Sequence, residues 1–240
     1  MSFHTDKCSV LQITTKKNPL NFDYTLHQHV LQKETSTKYL GITIQTDLKW
    51  NKHVNNITAA ATQKLNFIKR NLKVNSKTVK EKAYIALVRP KLEYSSCVWD
   101  PHTKSQTHQL EMVQRRAARY TCNRYHNTSS VTEMLQTLNW ATLEKRRIRT
   151  RIIFLYKIIH HLVAIYPTDL LTQSDTRTRQ HSHIYSFRPI QTTKDSYKYS
   201  FYPRTILQWN LLPVAAVQCT TLESFREQIP ISVLNKHLNI

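Results

Sequence analysis

Between Trp50 and Leu72 the chain reads WNKHVNNITAAATQKLNFIKRNL, and within it Val54, Ile57, Ala61, Leu65, Ile68 and Leu72 recur at steps of three and four. That spacing gathers the apolar side chains on one face of an α-helix. Lys52, Lys64, Lys69 and Arg70 fall off this face, so the solvent side of the predicted helix is basic. Upstream of Trp50 the period is two instead. Cys8 to Thr14 alternates around Val10 and Gln12, Phe22–Leu26 and His29–Leu31 flank a polar break at His27-Gln28 that suggests a hairpin, and Lys38–Ile44 is the strongest strand. Gly41 lies inside that last strand, where a glycine marks either a packing bulge or a close approach of another backbone or a ligand. Both readings stay open.

Downstream the helical period persists. A helix is expected after Asn75-Ser76, running on Val79, Ala83 and Leu87 until Pro90 interferes, and Trp99-Asp100-Pro101 marks a turn. A third helix spans Lys104 to Tyr120 on Leu110, Val113, Ala117 and Tyr120, and carries Arg115, Arg116 and Arg119. Ser130-Val131-Thr132-Glu133 reads as a capping box opening a short helix over Met134, Leu135 and Leu138. The longest helix is expected after Trp140, with Ile148, Ile152, Leu155, Ile159 and Leu162 on one face. Thr168 to Lys198 has poor periodicity and reads as irregular, with a short strand at Ile184–Ile190; Phe201–Asn210 and the Leu222, Phe225, Ile229 spacing give two more short helices. The expected fold is mainly α with a small N-terminal β element (α+β), divided into 1–48, 49–125 and 126–240.

Composition narrows the function. The 240 residues include 35 Lys and Arg against 15 Asp and Glu, a net charge of +20, and a single glycine. One glycine cannot build a P-loop, a dinucleotide fingerprint or a nucleophile elbow, each of which needs two or three. Self-repulsion of that size points to a strongly negative partner, and nucleic acid is the usual one. Lys145, Arg146, Arg147, Arg149 and Arg151 crowd the first turns of the helix after Trp140, where the helix dipole disfavours cations by a few tenths of a kcal/mol each, which suggests an anion from a partner. The apolar run Ile152–Tyr156 is far too short to span a membrane, and the N-terminus has no secretory pattern, so no membrane partner and an intracellular location, nucleus or cytoplasm, are expected. Cys8, Cys97, Cys122 and Cys219 have no metal-knuckle spacing, and the histidine pairs lack acidic or thiol neighbours at ligand distance in sequence. The aspartates are isolated, with no pair closing an apolar strand, which argues against a self-sufficient phosphoryl-transfer enzyme.

Many ordered stretches nevertheless resemble one family. They are Lys38-Tyr39-Leu40-Gly41-Ile42, Asp47-Leu48-Lys49-Trp50 with His53, Arg70-Asn71-Leu72, Ala83-Tyr84, Leu87-Val88-Arg89-Pro90, Leu92-Glu93-Tyr94, Val98-Trp99-Asp100-Pro101, Leu110-Glu111 and Val113 to Arg119, followed late by Pro203-Arg204-Thr205-Ile206, Trp209-Asn210 and Leu212-Pro213. Together they are similar to the C-terminal part of a jockey-like non-LTR (LINE-type) retrotransposon reverse transcriptase, over nearly the whole chain. Met1 to His4 with Asp6-Lys7-Cys8 resembles the palm segment that follows the catalytic aspartates.

The resemblance implies the end of the palm and a primer-grip-like β element in 1–48, a thumb-like helical bundle in 49–125 and a basic C-terminal region in 126–240. The metal-binding aspartates of the family would lie upstream of Met1, so the resemblance implies no catalytic residue and no cofactor in this chain, Mg²⁺ belonging to the intact enzyme. It assigns nucleic-acid contact to Lys38, Tyr39, Leu40 and Gly41 at the primer grip. Lys64, Lys69, Arg70, Arg115, Arg116 and Arg119 would contact it from the thumb, and Arg146, Arg147 and Arg149 beyond. Trp99, Trp140 and Trp209 are expected in the core. Three functions follow as expectations: a truncated remnant that keeps non-sequence-specific binding of RNA, RNA–DNA duplex or DNA without polymerising; an incomplete gene model of a polymerase active only with its upstream palm as partner; and a helical interaction protein or remnant with no selected function.

Overall fold

A computed structural model describes residues 4–14, 16–167, 169–174, 183, 185–231 and 234. The expectations placed on Met1–Phe3, Asp175, His181 and Ile184 lie outside them. The chain forms two compact units, Met1–Ile57 and Thr58–Ile240.

The first unit carries every named strand. After a 3₁₀ turn at Thr5–Lys7, β1 (Ser9–Leu11) pairs in parallel with β4 (Gln32–Glu34); between them β2 (Thr25–Leu26) and β3 (His29–Val30) make an antiparallel hairpin. His27 and Gln28, at φ 49° and 63°, turn that hairpin at the expected polar break. The expected single strand Lys38–Ile44 is instead two strands, β5 (Ser36–Tyr39) and β6 (Ile42–Gln45), with Tyr39 opposite Ile42. Gly41 is therefore neither in a strand nor at a bulge. It ends a two-residue loop with Leu40 at φ 46° and Gly41 at φ 85°, and both central residues of a type I′ turn need positive φ. Strand-like composition on both sides hid the turn.

α1 (Asn51–Asn71) begins in this unit. His53, buried, accepts the Thr43 amide through Nδ1 at 3.2 Å, Asn56 donates to Thr43 Oγ1 at 3.2 Å, and Gln45 accepts the Lys52 amide at 2.9 Å, so the start of α1 is bonded to β6. Ile42 and Val54 are the only described large apolar side chains of the unit that are buried.

The second unit is helical. Its elements after α1 are α2 (Lys77–Leu87), α3 (Arg89–Glu93), α4 (Ser96–Trp99), α5 (Lys104–Cys122), α6 (Val131–Thr137), α7 (Leu143–Ile159), α8 (Asp195–Lys198), α9 (Phe201–Trp209), α10 (Val214–Val217) and α11 (Leu222–Gln228). The predicted caps form: Ser76 accepts the Val79 amide and Ser130 the Glu133 amide. Pro90 opens α3, and Asp100 is extended before Pro101. On α5, Leu110, Val113, Ala117 and Tyr120 are all buried as the spacing predicted. On α2 the predicted stripe is displaced by one residue. Val79 and Leu87 are exposed, and Lys80, Tyr84 and Val88 face inward, because Tyr84 stacks on Trp140 and hydrogen-bonds Gln114 at 3.0 Å. α7 ends at Ile159, leaving Leu162 exposed, and at 17 residues it is shorter than α1 at 21.

α7 is the central element of this unit, packing on α4, α5, α9 and α11. Ile148, Ile152, Leu155 and Tyr156 join Trp209, Leu212, Phe225 and Ile229 in one apolar cluster, and Trp99 and Trp140 are buried elsewhere in the same unit. The expected division at residue 125 is therefore bridged by α5 against α6 and α7. The segment before α9 is irregular over most of its described residues, with one isolated bridge between Gln173 and Phe187 in place of the expected short strand, but Asp195–Lys198, expected to be irregular, is the helix α8.

Candidate nucleic-acid interface

The basic crowding at the start of α7 resolves into internal ion pairs. Thr142 caps the helix by accepting the Lys145 amide, which leaves the arginines of the next turns pointing at neighbouring elements. Arg147 is fully buried, and its Nε donates to Asp100 Oδ1 at 2.6 Å. One turn on, Arg151 donates Nη1 to Asp100 Oδ2 and Nη2 to Gln208 Oε1 at 2.7 Å, and burial pulls its pKa down to about 10. Arg204 on α9 completes the set, 3.4 Å from Asp100 Oδ2 and donating to the Asp100 carbonyl at 3.2 Å. A single carboxylate in the turn between α4 and α5 thus orients three guanidinium groups.

The neighbours of Arg147 are committed as well. Arg146 forms a bidentate pair with Glu93 on α3, and Arg149 donates to the carbonyls of Ile229 and Arg226, both at 2.9 Å, at the end of α11. Arg146, Arg147 and Arg149 are accordingly corrected from phosphate contacts to structural cations. The anions that offset the dipole cost at the α7 N-terminus are Glu93 and Asp100 of the chain itself.

The other predicted cations differ in this respect. Among the described residues no ion pair reaches Lys64, Lys69, Arg70, Arg115 or Arg116. Arg70 and Arg116 are exposed, Lys64, Lys69 and Arg115 half-buried; Lys64 lies over the Phe67 ring at 5.3 Å. Arg119 donates to the His126 carbonyl at 3.3 Å, closing the turn after α5, so its fork is partly used.

Three cations from three helices meet at Tyr120. Lys69 of α1 and Lys80 of α2 place Nζ 5.9 Å and 4.9 Å from the centroid of its ring, and Arg116 sits one turn before it on α5. The Tyr120 hydroxyl donates to the Leu72 carbonyl at 3.0 Å, which fixes the ring beneath them. Burial lowers the Lys69 pKa, and the Arg116 charge lowers it further. Both ammonium groups gain cation–π attraction from the ring, while Arg116 repels Lys69. An anion placed among them would relieve that repulsion.

Lys80 and Tyr120 were not legible as site residues. Lys80 falls outside the expected stripe of Val79, Ala83 and Leu87, which is set one residue early, and Tyr120 is expected on the apolar face of α5, which its burial bears out while its ring still serves the cations. The i, i+4 pair Arg116–Tyr120 was the available signal.

In the first unit, Lys38, Tyr39, Leu40 and Gly41 all lie exposed at the tip of the β5–β6 hairpin, with Tyr39 64% and Leu40 72% accessible. Among the described residues no group of three or more His, Cys, Asp or Glu side chains is placed to hold a metal ion, and no helix is long and apolar enough to cross a membrane. No protein-family model, curated protein or solved structure matches the chain.

Proposed function

We propose that the chain binds RNA, RNA–DNA duplex or DNA through phosphate contacts, without reading sequence, on the face of the second unit formed by α1, α2 and α5. The observation that carries this reading is the convergence of Lys69 and Lys80 on Tyr120, with Arg116 near enough to act on Lys69 and no acidic residue paired to any of them among the described residues. Lys64, Arg70 and Arg115 extend the same unpaired basic character along α1 and α5. The collinear motifs support an origin in the C-terminal part of a non-LTR reverse transcriptase. In that reading α1 and α5 are thumb helices, the β5–β6 hairpin is the primer grip, and the isolated chain binds template and primer without extending it.

Salt titration of binding to an RNA–DNA duplex tests the proposal. The log–log slope is expected to be steep, about −0.9 per phosphate neutralised in B-form geometry. Charge reversal of Arg115, Arg116 and Arg119 should flatten it. Weak binding that ignores salt would sink the reading.

A second reading, that the chain works only when joined to a polymerase palm, is favoured by the poverty of the first unit. Among its described residues it buries two large apolar side chains while Leu20, Phe22, Tyr24, Val30, Tyr39 and Leu40 are exposed, and the described strands form two-stranded ribbons with open edges. Co-expression with a palm segment is expected to slow amide exchange across β1, β4, β5 and β6. Exchange unchanged by the palm would remove this reading.

A further inference from the structure

The cations at Tyr120 differ from an ordinary basic surface in one respect: the Lys80 stem is packed, the residue being 6% exposed, so its ammonium is held 4.9 Å from the ring centroid, and no acidic side chain pairs with it among the described residues. Cations gathered in this way normally have a carboxylate among them, because like charges at close range repel. The partial negative charge at the C-terminal end of α1, where Lys69 and Arg70 occupy the last turn, amounts to about half an elementary charge. It is also shared with the Tyr120 hydroxyl, which donates to Leu72 O. That is too little for three full cations.

Resting on the nucleic-acid reading above, we infer that Lys69, Lys80 and Arg116 form one discrete socket for a single phosphoryl group, with the Tyr120 ring as its floor. Lys80 supplies an ammonium on a packed stem, Lys69 a second one from α1, and Arg116 the exposed, planar fork that can take two oxygens at the rim. The ring holds both ammonium groups at fixed distance, so the socket exists before the ligand arrives. Burial first and the Arg116 charge second hold the Lys69 pKa down, and a phosphoryl group there opposes both. Binding should therefore draw a proton onto Lys69 at alkaline pH. The ligand chemistry is a phosphate oxygen pair, whether in a nucleic-acid backbone or in free phosphate.

Two probes separate those sources: inorganic phosphate by calorimetry against sodium chloride of equal ionic strength, and a short RNA–DNA duplex by salt titration. Each is applied to the full chain, to Lys80→Met, which keeps the packed stem, and to Arg116→Gln, which is exposed and leaves the core untouched. Wild type is expected to bind both probes. Each variant should lose phosphate binding and flatten the duplex slope by about 0.9, the share of one phosphate. Duplex binding by wild type with slopes unchanged in both variants would overturn the socket while leaving nucleic-acid binding standing. Absence of salt-dependent duplex binding by wild type would overturn the broader reading, and phosphate binding that persisted in that case would keep the socket as a site for free phosphate alone. Should Lys80→Met fail to fold, Arg116→Gln decides the same question.

Discussion

Asp100 shows how one residue can set the role of several others. Its carboxylate lies between two fully buried arginines and a third that is half-buried. Replacing it with alanine strands Arg147 and Arg151 in the interior, and breaking a buried pair in this way costs about 3–5 kcal/mol. Urea denaturation of Asp100→Ala is expected to show a loss of that size, and a loss below about 1 kcal/mol would contradict the geometry. His53 acts in the opposite sense. Its Nδ1 must be unprotonated to accept the Thr43 amide, and burial holds its pKa below the ordinary 6.5. The unfolded chain takes up a proton first as pH falls. The stabilisation from His53 is thus complete above about pH 6.5, declines below it, and is gone once pH passes the lower folded value. The protection factor of the Thr43 amide, its exchange normalised to the unfolded rate at each pH, should fall in that order from pH 7.5 down to 5; a flat protection factor would contradict it. None of this was visible locally, since Arg147 and Asp100 are 47 residues apart and a helix-dipole argument sees only its own turn.

At the scale of elements, the β5–β6 hairpin carries a correctable strain. Leu40 occupies the left-handed region at φ 46°, where a γ-branched residue costs about 1–2 kcal/mol and asparagine little. Leu40→Asn creates the Asn-Gly pair that type I′ turns prefer and is expected to increase protection of the Thr37 and Ile44 amides. Unchanged or faster exchange would show that the loop is not a type I′ turn. The same hairpin marks the limit of sequence reading: Leu-Gly is a weak turn signal between strand-forming residues, whereas His27-Gln28 stood out as a polar break. α1 and α5 were legible because their apolar residues keep a clean 3.6 period over many turns. α2 was not, because Val79, Ala83 and Leu87 form one plausible stripe and Tyr84 and Val88 belong to another. Packing of Tyr84 on Trp140 decides between them.

Across the whole molecule, the formal charge of +20 separates into two populations. Arginines of α7 and α9 are bonded within the second unit, to Glu93, Asp100 and backbone carbonyls, while among the described residues no ion pair reaches the lysines and arginines of α1, α2 and α5. Composition announced the excess but could not apportion it, because apportioning needs the tertiary neighbours of each cation. The core tryptophans and the overall helical character were readable, being set by burial and period alone. The Asp100 cluster has a consequence in time as well as in space. Its members are separated by 47, 51 and 104 positions, and Arg204 is the last to be made. During synthesis the ribosome releases Asp100 long before the arginines that pair with it, so this cluster cannot form until α7 and α9 have been made. The second unit is therefore one that closes late, and a nascent chain that stalls before Arg204 emerges without its final fastening.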